Sequence, residues 1–481
     1  MKINISTYIK IALFSFAFIN VSTAQNLYIN EFMASNVIST PEIVDYDDYS
    51  DWIEIYNDSS ATINIGGYYL TDDFKNPSKW KIPDGTLIPA KGYLLFWADG
   101  YDDDPISGIK YFHLNFKLSA LGEEIAIFSP QLILIDSVSF SNQQQDVSFG
   151  RQPDGTNNWV YFGESTPKAA NNTSGINNTL VSQSPDISLA SGIYSGSQTI
   201  SMAPIANAEF RYTLDGSMPK SNSLKYEAPI TIGSTTTLRV RTFETDKLPS
   251  KIVTKSYYID ERQNLPILSI TAFPETLFGS EIGIYTNEIK SREVPVNVQL
   301  FEKDGTKAFE VDAGARLSGQ ASYQYPQKPL TIETDNKYGD EVINYPIFEN
   351  RPFQQYTSLY LRNSGTQDIR HTMFRDALQH TIVINEMDVD CQAYRPAATY
   401  INGQYWGIYN LREKLDNNYF ATHHGVDPDN IDYLEYELES DPIVVEGDTE
   451  DYFALQNFLS SNSMNTTENW EYVKSKIDVN E

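Results

Sequence analysis

Asp51-Trp52-Ile53-Glu54-Ile55-Tyr56-Asn57 places apolar side chains at alternate positions, the period of a strand that turns one face to a core. The pattern extends in both directions from there. Ile29-Asn30-Glu31-Phe32-Met33-Ala34-Ser35-Asn36 precedes it. Thr62-Ile63-Asn64-Ile65, Gly92-Tyr93-Leu94-Leu95-Phe96-Trp97 and Ile125-Ala126-Ile127-Phe128 follow, separated by Gly, Pro, Asp and Asn. Short strands at this spacing, with no helical period between them, predict a β-sandwich over 26–170.

Beyond it the chain changes texture twice. Residues 171–184 are polar and turn-rich, a linker composition. Residues 185–260 read as a second all-β unit centred on Phe210-Arg211-Tyr212-Thr213-Leu214-Asp215-Gly216-Ser217-Met218-Pro219, in which Asp-Gly is a turn pair between two strand-like runs. From Leu265 to Glu481, strand-like pieces such as Val294-Pro295-Val296-Asn297-Val298-Gln299-Leu300 mix with helical ones. Ile369, Met373, Phe374, Ala377, Leu378 and Ile382 form an amphipathic stripe over 369–384, and a second helix is expected after Thr449. The third segment is therefore α+β. Three units suit 481 residues at roughly 150 per domain.

Composition narrows the function. The chain has 35 Lys+Arg against 64 Asp+Glu, a net charge of −29, which argues against nonspecific binding to nucleic acid or anionic lipid. A single cysteine, Cys391, excludes a disulfide framework, a thiolate zinc site and an iron–sulfur cluster. Met1-Lys2 to Lys10, an apolar run from Ile11 to Ile19 and then Val21-Ser22-Thr23-Ala24 describe a secretory signal peptide cleaved near Ala24. The run is too short to cross a bilayer, which needs about 20 apolar residues, and no other stretch approaches that length. Removal of residues 1–24 takes away Lys2 and Lys10, so the mature charge is 33 − 64 = −31. The protein is expected to be secreted or held at the cell surface. Asp45-Tyr46-Asp47-Asp48 and Asp102-Asp103-Asp104 offer oxygen ligands but lack the spacing of a dedicated calcium loop, and read as solvated loop charge.

Particular phrases resemble known families. The order Ile29–Asn36, Asp51–Asn57, Ile65-Gly66-Gly67-Tyr68-Tyr69-Leu70-Thr71-Asp72, Ile88-Pro89-Ala90-Lys91-Gly92-Tyr93 and Phe149-Gly150-Arg151 resembles the bacterial lamin-tail domain, which implies an immunoglobulin-like sandwich used in binding or architecture. The second unit, with Tyr226-Glu227-Ala228-Pro229-Ile230 and Thr237-Leu238-Arg239-Val240-Arg241-Thr242, resembles the small sandwich at the C-terminus of chitobiases. Asp215 is then a turn residue in an accessory module, and glycan is a possible ligand.

In 265–481 the set Gly314-Ala315-Arg316-Leu317-Ser318-Gly319, Pro326-Gln327-Lys328-Pro329-Leu330-Thr331-Ile332, Leu359-Tyr360-Leu361-Arg362-Asn363-Ser364-Gly365 and Phe374-Arg375-Asp376-Ala377-Leu378 is followed by Ile401–Lys414 and His423–Ile431. It resembles the CotH (spore coat protein H) kinases, divergent kinase-like proteins that phosphorylate secreted or surface proteins. The resemblance implies ATP and Mg²⁺ as cofactors. Phosphoryl transfer needs a cation on the nucleotide phosphates, a carboxylate to organise it, metal-binding acids and a carboxylate near the acceptor hydroxyl. Lys328 stands where the family's phosphate-contacting lysine is expected; the plainer reading is a surface-strand lysine. Arg316, read as lying in a Gly-flanked loop, could approach an anion or form a structural ion pair. Glu413 could pair with the lysine or with magnesium and Arg412 could face phosphate, although Arg-Glu-Lys is also an ordinary helix start. Arg362, Asn363 and Asp376 are alternatives. His423 and His424 are adjacent, point different ways and have no third ligand spaced nearby, so a structural or surface role is favoured.

The chain contains neither a Gly-x-x-x-x-Gly-Lys-Ser/Thr loop nor a Gly-x-Ser-x-Gly elbow. The family's catalytic and metal-binding aspartates are expected beyond Glu481, which would make this kinase-like domain incomplete at its C-terminus and inactive alone. The expected function of the parent is transfer of phosphate from ATP to hydroxyls of secreted or surface proteins. The alternative is a non-catalytic surface or matrix protein that binds a protein, glycan or envelope component.

Overall fold

The computed structural model describes residues 26–42, 49–101, 112–261, 264–365, 368–384, 386–387, 389–436 and 441–478. Residues 1–24, where a signal peptide is expected, and both aspartate-rich stretches lie outside the described residues.

The first unit is a sandwich. A six-stranded sheet runs Gly175–Ile176, Trp159–Phe162, Ser148–Arg151, Leu27–Met33, Asp51–Asn57, Tyr93–Ala98. It packs on a four-stranded sheet of Trp80–Lys81, Tyr69–Thr71, Gly122–Phe128 and Leu134–Ser141. Ile53 and Ile55 point between the sheets with Ile29, Phe32, Ile125 and Ile127. Trp52, one residue out of phase, goes to the other face and packs on Met33, Leu95 and Trp97. Asp51–Asn57 is therefore buried on both faces, and the second face encloses Glu31 and Glu54.

The segment 171–184, expected as a linker, is tied into the fold. Gly175–Ile176 extends the six-stranded sheet, Val181 bridges Leu248, and Ile176 packs with Val147 and Leu248. Its buried Ile176 and Asn171 are what polar composition concealed.

The second unit has a five-stranded sheet, Gly192–Tyr194, Val253–Ile259, Thr236–Glu244, Ala208–Thr213, Leu224–Lys225, against the pair Gln198–Ile200 and Ile230–Ile232. Asp215 is a turn residue, accepting from the backbone N–H of Ser217 (3.0 Å) and its hydroxyl (2.6 Å), with Gly216 at φ 88°.

The third unit is α+β and is organised by a closed barrel. Its strands are Ile267–Ala272, Glu293–Phe301, Lys307–Leu317, Leu330–Glu333, Ser358–Arg362, Gln404–Arg412 and Tyr394–Ile401. Closure is made by a parallel pairing of the first strand with the last, Ile267 opposite Ala398 to Ile270 opposite Ile401. Valines, leucines and isoleucines of alternate positions fill the interior. The described helices of this unit are Pro274–Phe278, Ile284–Asn287, Arg375–Val383, Asn417–His424, Glu450–Ser461 and Thr467–Lys474, of which Ile284–Asn287 and Arg375–Val383 pack on barrel strands. The helix after Thr449 forms as expected, whereas the one expected over 369–384 is shorter. Met373 sits at φ 60° and separates a turn at Asp368–Arg370 from the helix proper. No helix among the described residues is long and apolar enough to cross a membrane.

Candidate functional site

Lys328 lies between Pro326 and Pro329, which keep this stretch extended just ahead of the strand Leu330–Glu333. It is buried, and its ammonium donates to Glu288 Oε1 (2.8 Å) and to the Tyr323 carbonyl (2.7 Å). Its own carbonyl accepts from the Tyr285 and Tyr409 hydroxyls, which also bond to each other at 2.8 Å. Burial pushes the Tyr285 hydroxyl up to about 12, so it stays protonated and remains a donor. The backbone at Lys328 is thus pinned from inside the barrel while the side chain is held from outside. Glu288 stands in the left-handed region (φ 56°) at the end of the helix Ile284–Asn287, and its side chain is 43% exposed. The ion pair therefore opens to solvent on the glutamate's side.

Glu413 is elsewhere. Rather than pairing with Lys328, its Oε2 accepts from Arg351 Nε (2.9 Å) and the Ala393 N–H (2.8 Å), and its Oε1 lies 3.0 Å from His423 Nε2. The expected Glu413–Lys328 pair is thereby corrected: Glu288 holds the lysine. Glu413 and His423 line a cavity of about 310 Å³ with Tyr356, Ser358, Asp416 and Tyr419.

Arg412 and Glu413 diverge because successive residues at a strand end face opposite ways. Arg412 is opposite Tyr360, and Arg362 lies two residues further along that neighbour, on the same face. Both reach Asp376 on the helix Arg375–Val383, Arg412 Nη1 at 2.6 Å and Arg362 Nε at 3.4 Å. Arg412 is fully buried and gives its other bonds to the carbonyls of Ala393 and Gln392. Arg362, Asp368, Arg375 and Asp376 line a second cavity of about 290 Å³. Asn363 ties it to the lysine loop, donating to the carbonyls of Ser322 (3.1 Å) and Gln327 (2.5 Å).

Arg316 lies on the strand Lys307–Leu317, not in a loop, which corrects the sequence reading; the glycine at 314 continues the strand instead of ending it. Opposite Thr331, it reaches diagonally to Glu333 (2.9 Å), which also pairs with Lys414. Although burial opposes it, the Lys414 and Arg316 cations hold the Glu333 carboxyl below its ordinary range. His423 stacks on Tyr419 with ring centres 3.9 Å apart, and His424 bonds to Asp390 (2.8 Å).

The structure thus gathers Arg362, Arg412 and Asp376 in one place, Glu413 and His423 in a second, and Arg316 with Glu333 in a third, with Lys328 apart from all of them. Glu288, Arg351 and Glu333 were not found from sequence. Glu288 sits in Thr286-Asn287-Glu288-Ile289-Lys290, where nothing in period or composition marks it.

Two all-β units followed by a barrel-centred α+β unit define a modular protein of accessory sandwiches and one larger domain. Family models match in the same order. Residues 20–142 match Lamin Tail Domain, 189–254 match Chitobiase/beta-hexosaminidase C-terminal domain, and 315–481 match CotH kinase protein. The chain therefore combines a lamin tail domain, a chitobiase-type C-terminal domain and a CotH kinase family segment. No curated protein matches the chain.

Proposed function

We propose that this protein is an exported kinase of the CotH type whose third domain binds Mg²⁺-ATP and directs the γ-phosphate to a hydroxyl of a secreted or surface protein. The observation that carries the reading is the buried Lys328 ammonium, oriented by a carboxylate 2.8 Å away that faces solvent. A lysine held by a glutamate is the arrangement that kinase-like folds use on nucleotide phosphates. A separate cavity, connected to the lysine loop through Asn363, carries groups of the kind such a ligand needs: Arg362 and Arg375 offer guanidinium groups to phosphate, and Asp368 and Asp376 offer carboxylates to magnesium. Magnesium would neutralise phosphate charge when bound. Lys328 would fix the phosphates, and Arg412 would brace the wall by holding Asp376. Arg316 and Glu413 have carboxylate and cation partners of their own, respectively, so their contribution would be to keep the strands around the lysine in register. The two sandwiches would place the kinase-like domain on its partner, with glycan as the natural first ligand to try for the chitobiase-type unit.

Calorimetric titration of the full chain with Mg²⁺ and a non-hydrolysable ATP analogue tests this. Lys328→Ala is expected to weaken binding at least tenfold while leaving the circular dichroism spectrum unchanged. Undetectable binding by the folded wild-type chain would instead favour a non-catalytic surface binding protein.

A further inference from the structure

The first sandwich contains a donor cluster that no kinase or glycan reading uses. Glu42, Asp99 and His113 come from three separate segments and are 1%, 7% and 3% exposed. One donor atom from each lies within 4.8 Å of the others. Their placement is set by backbone: His113 bridges Trp97, Leu114 N donates to the Trp97 carbonyl (2.7 Å), and Gly100 N donates to the Leu114 carbonyl (3.1 Å). His113 Nδ1 bonds to Asp99 Oδ2, while Asp99 Oδ1 accepts from the Tyr101 N–H at 3.1 Å. The other nitrogen, Nε2, faces Glu42 Oε1 at 3.5 Å.

From this geometry we propose that Glu42 and His113 bind a divalent transition cation of the zinc class, with Asp99 as the positioning carboxylate. The separation of 3.5 Å is too long for a good hydrogen bond. It is close to the roughly 3.3 Å expected between two ligand atoms of a tetrahedral ion with bonds of about 2.0 Å. A carboxylate on the far ring nitrogen is the usual support of a metal-bound imidazole, since it fixes the tautomer and raises ligand basicity. Imidazole as a ligand selects zinc, cobalt or nickel over calcium or magnesium. The remaining positions would be filled by water or the second Glu42 oxygen.

The test is zinc titration of the chelator-stripped full chain by calorimetry. One equivalent should bind with a submicromolar Kd and raise the melting temperature, while calcium at the same concentration does neither. His113→Ala and the near-isosteric Glu42→Gln should each weaken binding at least 100-fold, Asp99→Asn about tenfold, and His423→Ala not at all. Cobalt added to the wild-type chain, which requires no variant to fold, should give the intense visible bands of a tetrahedral site. Failure of the wild type to bind zinc, zinc binding that survives His113→Ala in a folded chain, or a pale octahedral cobalt spectrum would each overturn the proposal.

Discussion

Glu31 and Glu54 stand directly opposite each other on neighbouring strands, both wholly buried. Like charges in this position repel, and burial adds to the cost of ionising either. Glu31 accepts from Ser148 and from the Thr166 backbone and hydroxyl, and Glu54 from Asn30 and the Lys168 N–H. Burial, against these hydrogen bonds, raises Glu31 to about 7, and burial followed by the Glu31 charge pushes Glu54 well up. Burial likewise raises Asp51 to about 7. The folded state then keeps protons that the unfolded chain gives up above its ordinary carboxyl range. Stability present in acid is therefore lost as pH rises toward 7, by about 1.4 kcal/mol per pH unit for each such group. The first sandwich should melt higher at pH 5 than at pH 7, and Glu31→Gln, which mimics the protonated side chain, should flatten that slope. A melting temperature that rises between those pH values would contradict the assignment.

Turns determine how the elements meet. Gly216, at φ 88°, lies against the side chain of Asn402 in the barrel's Asn402-Gly403 hairpin turn, where a Cβ would sit 2.5 Å from Asn402 Cγ. Asn402 cannot yield freely, because its Oδ1 accepts from the Ala272 N–H at 2.9 Å. Gly216→Ala is expected to cost about 2 kcal/mol in chemical denaturation, part from the positive φ and part from this contact. In an Asn402→Gly background the contact part should vanish, so equal costs in both backgrounds would disprove the contact. The helix Arg375–Val383 shows the opposite case. Its spacing is amphipathic, yet Leu378 and Ile382 are exposed and only Ala377 is buried. Periodicity identified the helix but not its buried face, because Arg412 and Arg362 draw the Asp376 side toward the barrel.

Across the whole molecule, the last strand of the second sandwich carries Tyr258 onto the outside of the barrel. There it meets Phe301 and Tyr400 edge to face, with ring centres 5.5 and 4.9 Å apart, above Ile267 and Ala398. Arg239 extends the junction, lying over the Phe273 ring at 4.6 Å, and burial lowers it to about 10. The two units should therefore unfold together in calorimetry. Tyr258→Ala, at about 3 kcal/mol or more, should split that transition in two. A single unchanged transition in the variant would show that Tyr258 is not what couples them.

The sequence by itself determined the strands of both sandwiches, the Asp215 turn, the helix after Thr449 and the order of the three units. Each depends on period or turn chemistry within a few residues. Barrel closure, the pairing of Lys328 with Glu288, the parting of Arg412 from Glu413 and the meeting of Glu42 with Asp99 and His113 were decided by tertiary structure. In each, residues far apart in the chain are brought together by strand register and by the requirement that buried charge find a partner.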